Sequence, residues 1–145
     1  MMRDVADYPL AETAPERVRG ARGRPLPDIT LRAVLEGEVT MEDLRITAQA
    51  LRAQAEIARS AGRAALAENF ERGAELVAVP QDLIMDTYEM LRPGRLHDRR
   101  ALLDRAEMLR RDFGADAIAR FLERALEHYE RRGLMRDRGV GGSCD

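Results

Sequence analysis

The strongest constraint in this sequence is a three-and-four spacing of apolar residues between Ala48 and Val77. Leu51, Ala55, Ala58, Gly62, Leu66, Phe70, Gly73 and Val77 fall on one helical face, and Arg52, Glu56, Arg59, Arg63 and Glu71 fall on the opposite one. Thr47 stands where a helix N-cap belongs, and Pro80 stops the run. A stripe of this kind has to be buried against another helix, so the expected fold is all-α. Glycine inside a helix costs about 1 kcal/mol relative to alanine. Gly62 and Gly73 on the apolar face therefore either admit another backbone closely or reflect composition alone.

The same periodicity continues towards the C-terminus. Gln81 to Leu91 places Ile84, Tyr88 and Leu91 on one side, and R-P-G-R (Arg92 to Arg95) reads as a turn. Asp98 is positioned to cap a helix whose stripe is Leu102, Ala106, Leu109 and Phe113. Beyond Gly114 the apolar set becomes Ile118, Phe121, Leu122, Ala125 and Tyr129, rotated by more than a quarter-turn. R-R-D-F-G-A-D-A holds no proline or turn cluster, so one continuous helix burying different faces is expected, with its stop at Gly133.

Upstream, Asp28 is expected to cap a short helix from Ile29 to Glu36, stopped by Gly37. Thr40 with Asp43 resembles a capping box that opens a turn carrying Met41 and Leu44. Residues 1–27 contain Pro9, Pro15, Pro25 and Pro27 together with Gly20 and Gly23, and lack a sustained period. The expected organisation is an irregular Pro/Gly-rich arm (1–27), a helical domain (28–136) and a flexible tail (137–145). The helical domain reads as an open bundle of about three main helices preceded by short ones.

The chain has 145 residues, which suits one domain, but only six aromatics and no tryptophan. Aromatic side chains contribute much of the buried area of most cores, and alanine contributes little. Some apolar helix surface is therefore expected to be completed by a partner; a narrow Ala-rich bundle stable alone is the competing reading. Tyr8-Pro9-Leu10 is the best docking point in the arm, because a large amphipathic ring is held by rigid backbone.

All 24 basic residues are arginine. Phosphate or nucleic-acid recognition would use guanidinium forks, yet the codon usage of a GC-rich genome produces the same count. A net charge of -2 with Arg interleaved among Glu and Asp argues against nucleic acid, whose binders concentrate positive charge on one face. No apolar run approaches the roughly 20 residues that span a bilayer, and the N-terminus lacks a secretory pattern. The single cysteine, Cys144, suits a reducing cytoplasm.

The sequence holds no recognisable catalytic constellation. The histidines are His97 and His128; Gly94 and Ala125 stand three residues before them, so the Glu-x-x-His pairs of a di-iron bundle are missing. One cysteine and no spaced histidine pair do not make a zinc site. Ser60 and Ser143 are poor nucleophile candidates, one within a helix and one in the tail. G-V-G-G (Gly139 to Gly142) lacks the Lys and Ser/Thr of a phosphate loop. The expectation is a non-catalytic chain.

A set of short segments in fixed order is more telling. D-Y-P-L-A (Asp7 to Ala11) is followed by P-E-x-V (Pro15 to Val18), Leu26-x-Asp28-x-Thr30-Leu31 running into Val34-Leu35, and Asp43-x-Arg45-Ile46. L-R-x-Q-A-x-I-A (Leu51 to Ala58), A-G-R (Ala61 to Arg63), N-F-E-R (Asn69 to Arg72), A-E-L (Ala74 to Leu76) and A-V-P-x-D come next. L-R-P (Leu91 to Pro93), F-L-x-x-A (Phe121 to Ala125) and Tyr129 complete the series. In order and spacing this resembles the small subunit of the adenosylcobalamin-dependent diol and glycerol dehydratases.

The resemblance implies a cytoplasmic lyase of large, medium and small chains, two of each, with the small one packing on and stabilising the large catalytic one. It implies that adenosylcobalamin is bound by the other subunits and that this chain binds no cofactor or metal and supplies no catalytic residue. Nucleic acid and membrane are not implied partners. Tyr8, Pro9, Leu10, Leu26, Arg45, Asn69, Phe70 and Arg72 are the residues expected to contact the partner. D-Y-P-L-A begins at Asp7, so the N-terminal extension associated in some members with microcompartment packaging is not signalled. Gly94 also stands where an aromatic usually follows L-R-P. A free-standing helical adaptor or regulatory binding module is the competing reading.

Overall fold

The computed structural model describes residues 4–92, 94–96 and 98–135. His97, Cys144 and the tail 137–145 lie outside the described residues. The described residues are helical with no strand, so the all-α class is what the chain adopts. It divides into two compact units, Met1–Val77 and Ala78–Asp145.

In the first unit, the arm is built from single turns. Val5–Asp7, Pro15–Arg17 and Leu26–Asp28 are 3-10 turns, and α1 spans Leu10–Thr13. Between them the chain doubles back: Arg19 pairs with Pro25 as an isolated antiparallel bridge, and the Leu26 amide donates to the Val18 carbonyl at 2.9 Å. Helix α2 (Leu31–Leu35) is capped by Thr30, whose hydroxyl accepts from the Ala33 amide at 3.2 Å. The expected cap at Asp28 is corrected by two residues. Asp28 is already engaged in the preceding turn, its amide bonded to the Pro25 carbonyl at 3.0 Å. Gly37 ends the element as expected.

Thr47 caps α3 (Ala48–Ser60), accepting from the Ala50 amide at 3.1 Å. The expected single helix to Val77 does not form. At Gly62 the backbone turns left-handed (φ +72°), and α4 (Ala64–Leu76) begins after it and packs back on α3. Gly62 therefore serves the turn and not close packing: nothing lies within 4 Å of where its Cβ would be. At Gly73 the nearest atom to a Cβ would be a Leu51 methyl at 3.6 Å, an ordinary contact. Ala55, Ala58 and Ala67 are buried at the seam, with Leu66 and Phe70 packed against them.

In the second unit, Pro80 precedes α5 (Gln81–Leu91) and Asp98 caps α6 (Arg99–Phe113), accepting from the Arg100 amide at 2.8 Å. The helix does not continue through Gly114, whose φ of +63° reverses the chain into α7 (Asp116–Arg131). A left-handed residue costs an L side chain roughly 1–2 kcal/mol, which glycine avoids. The two breaks change the expected three main helices into five among the described residues.

Helix α7 packs on α6; Ile118, Ala119, Leu122 and Leu126 of α7, its N-cap Ala115, and Leu102, Ala106 and Leu109 of α6 are buried. Phe121, expected in the stripe, is instead 40% exposed, because the stripe takes the i, i+4, i+8 positions of Ile118. On α5 the buried residue is Thr87, while Tyr88 is exposed. Thr87 accepts from the Arg105 guanidinium of α6 at 2.8 Å and donates to the Leu83 carbonyl at 2.7 Å, so its burial leaves no polar atom unsatisfied. Tyr129 of α7 donates its hydroxyl proton to the Leu91 carbonyl.

Truncating a fully buried leucine costs about 2–5 kcal/mol, whereas a half-solvated side chain loses much less. Leu122→Ala is accordingly expected to lower the urea midpoint of the full chain substantially, and its neighbour Phe121→Ala to lower it only slightly. Equal shifts would contradict the rotated core face of α7.

Candidate functional site

The most tightly built polar feature of the first unit joins the arm to the segment after α2. The hairpin 18–26 is closed by Gly20 N–H donating to the Arg24 carbonyl at 2.9 Å and Gly23 N–H to the Gly20 carbonyl at 2.8 Å. This presents Arg22 and Arg24 side by side. Arg22 donates through Nε to Asp43 Oδ1 at 2.9 Å and through its terminal nitrogen to Asp43 Oδ2, making a two-pronged contact. Both arginines also donate to the Glu38 carbonyl, at 3.0 and 3.1 Å.

Asp43 is fully buried as a side chain, a position a carboxylate holds only when its charge is met. Besides Arg22 it accepts from the Thr40 amide at 3.0 Å, which realises half of the capping box expected from the spacing. The hydrogen bond from Arg22, then that from the Thr40 amide, hold its pKa down to about 2 despite the opposing effect of burial. The hairpin comes so close that a Cβ on Gly20 would lie 2.3 Å from the Asp43 carbonyl oxygen. That contact is with backbone and cannot be relieved by a rotamer.

The chemistry available here is structural. A concavity of about 510 Å³ is lined by Arg22, Gly23, Arg24, Pro25, Asp28 and Asp43. Cobalamin is much larger than this concavity, whose guanidinium, carboxylate and proline lining does not fit it. Among the described residues no group of three or more His, Cys, Asp or Glu could hold a metal ion. No helix among them is long and apolar enough to cross a membrane.

A second cluster ties α6 to α7. Arg110 donates to Glu123 at 2.8 Å, to Asp116 at 3.1 Å and to Glu107 at 2.8 Å. Its hydrogen bonds to Glu123, Asp116 and Glu107 raise the guanidinium pKa, and Arg110 in turn lowers that of Asp116. This network of one guanidinium and three carboxylates fixes the loop at Gly114.

The residues expected to contact a partner fall in separate places. Tyr8 is 62% exposed, Pro9 and Leu10 are half-buried, and the turn before Tyr8 lies against α3. Leu26 is half-buried at the foot of the hairpin. Arg45 is exposed and pairs with Glu42 at 3.3 Å. Asn69, Phe70 and Arg72 share α4: Arg72 donates to Asn69 and pairs with Glu68 at 3.7 Å, while Phe70 packs on the alanine seam. The hairpin residues Gly20 and Arg22 were not singled out from sequence. The Thr40–Asp43 spacing pointed to one end of the clamp only.

The sign of the Asp43 effect follows from its lowered pKa. Its contribution to stability is fully present above the unfolded value near 4 and is lost as pH falls towards about 2. Asp43→Asn is expected to remove this part of the acid dependence, read as the loss of helical circular dichroism between pH 5 and 2. Gly20→Ala is expected to destabilise the chain even at neutral pH. A wild-type acid profile in Asp43→Asn would rule out the clamp as the acid-sensitive group.

With this geometry in hand, the chain compares with known proteins as follows. The dehydratase small subunit family profile matches residues 3–136. The propanediol dehydratase small subunits of Citrobacter freundii and of Salmonella typhimurium strain LT2 are each 47% identical over 134 residues, spanning 92% of this chain and 77% of the relative. The chain belongs to the dehydratase small-subunit family.

Proposed function

We propose that this chain is the non-catalytic small subunit of an adenosylcobalamin-dependent diol dehydratase. The observation that carries this reading is its 47% identity, across 92% of its length, to two propanediol dehydratase small subunits. The structure supports it through what the polar clusters do: Arg22–Asp43 and Arg110 with its three carboxylates are spent on holding backbone segments together. The proposed reaction of the assembly converts 1,2-propanediol to propionaldehyde and water, or glycerol to 3-hydroxypropionaldehyde and water.

In this reading the large and medium subunits bind the cofactor, which supplies radical chemistry when bound, and two copies of each chain assemble in the cytoplasm. This chain packs on the large subunit and stabilises it. Contacts are proposed for Tyr8, Pro9, Leu10, Leu26, Arg45, Asn69, Phe70 and Arg72; the exposure of Tyr8, Arg45 and Asn69 supports their part in it.

Co-expression tests the proposal. The chain by itself is expected to dehydrate no diol. The large and medium subunits with adenosylcobalamin are expected to be active and long-lived only when it is present. Full, stable activity from an assembly lacking this chain would overturn the proposal.

A further inference from the structure

We infer that the exposed apolar face carried by residues 31–46 is where this chain seats on the larger, catalytic dehydratase subunit; the inference rests on the function proposed above. Of thirteen large apolar side chains exposed among the described residues, six fall in this short stretch: Leu31, Val34, Leu35, Met41, Leu44 and Ile46. Isolated exposed apolar residues are ordinary, but such a concentration marks a surface that is covered in use.

Charge distinguishes the kind of partner. The four carboxylates of the stretch each have an arginine: Glu36 pairs with Arg32 at 2.7 Å, Glu38 with Arg24 at 3.8 Å, Glu42 with Arg45 at 3.3 Å, and Asp43 with Arg22. The surface is thus electrically self-balanced. With Asp43 buried and the other three carboxylates paired, no surplus charge is displayed, which suits an apolar protein surface and suits neither a phosphate-bearing polymer nor an anionic lipid. Family membership as a small subunit calls for another dehydratase subunit as partner, and the function proposed above makes it the large one.

The face is also ordered before any partner arrives. Ala33, Val39 and Asp43 are buried, the Glu38 and Val39 amides both bond to the Ala33 carbonyl, and Arg22 and Arg24 of the 18–26 hairpin hold the Glu38 carbonyl. A preformed surface avoids the ordering cost that a loose segment pays on binding. The unit bearing the face is short of large buried residues: its buried apolar side chains are six alanines, Val39 and Ile57. The residues that would have enlarged its core are instead on the outside.

The test uses the full-length chain captured by a tagged large subunit, in the presence of the medium subunit. Leu35→Asp and Met41→Asp replace side chains that are each 78% exposed, so helical circular dichroism is expected to stay as in wild type. Capture is expected to weaken at least tenfold. Leu31→Asp, at a side chain 76% exposed, serves if either variant loses helicity. Met85→Asp, at a half-exposed residue of α5 outside the face, is expected to bind as wild type.

Wild-type capture by folded variants of the face would overturn the inference, as would equal loss in Met85→Asp. Variants that abolish self-association of this chain while sparing capture would show the occupant to be a second copy, and would overturn it too. Failure of the wild-type chain to be captured would instead count against the proposed function.

Discussion

The contact between Arg22 and Asp43 sets the shape of the first unit, because it joins two segments that have little else to hold them. A wholly buried carboxylate without a partner would be untenable. Here it is met by both prongs of one guanidinium and by the Thr40 amide. Arg22 itself remains 47% exposed, so the pair is desolvated on one side only, which lowers the cost of keeping it charged. Gly20 allows the approach by having no Cβ to meet the Asp43 carbonyl. The effect is passed on through backbone: Arg22 and Arg24 hold the Glu38 carbonyl, and the Glu38 and Val39 amides hold the Ala33 carbonyl in α2. An irregular arm thereby becomes the support of a defined surface.

Local signals are legible in the sequence, and long-range ones are not. The caps at Thr47 and Asp98 depend on a side chain and amides two or three residues away, and the start after Pro80 and the stops at Gly37 and Gly133 on one residue's own backbone, so local sequence reveals them. The breaks at Gly62 and Gly114 were harder. Across Gly62 the apolar spacing runs on from Ala58 to Leu66, because a three-residue turn disturbs a period of 3.6 very little. At Gly114 the rotated stripe is itself the sign of a break, and no proline is needed, because one left-handed glycine suffices. Asp28 and Thr30 are both able caps two residues apart, and the 3-10 turn at Leu26–Asp28 decides between them.

Buried polar residues were the least legible. Thr87 sits where an apolar pattern on α5 selects Tyr88, and its burial makes sense only with Arg105, 18 positions away. Arg22 lies 21 positions from Asp43 in a stretch that reads simply as turn-rich. No periodicity reports such pairs, since each residue's position is fixed by a partner on another element. Of the eight residues expected from the sequence to contact a partner, Tyr8, Arg45 and Asn69 are exposed. The sequence did not reveal that the apolar positions of α2 turn outwards, because the same spacing describes a helix face whether it meets core or solvent.

The two units solve the shortage of aromatics differently, and the difference bears on function. Nine of the eighteen buried apolar residues among those described are alanine, and six of these nine lie in the first unit. The second unit buries Leu96, Leu102, Leu109, Ile118, Leu122 and Leu126, which give it a core of its own. Alanine lets α3 and α4 approach closely but removes little surface from water, so burial alone stabilises the first unit less. Several segments that carry the family resemblance, Leu26 to Leu31, Val34-Leu35 and Asp43 to Ile46, belong to the clamp or to the apolar residues displayed beside it. In the first unit, therefore, some of the segments that carry the family resemblance coincide with the part whose own burial is incomplete, while those of α3 and α4 line the buried seam. Residues selected to shape an outward face, and not to perform a reaction, account for both observations.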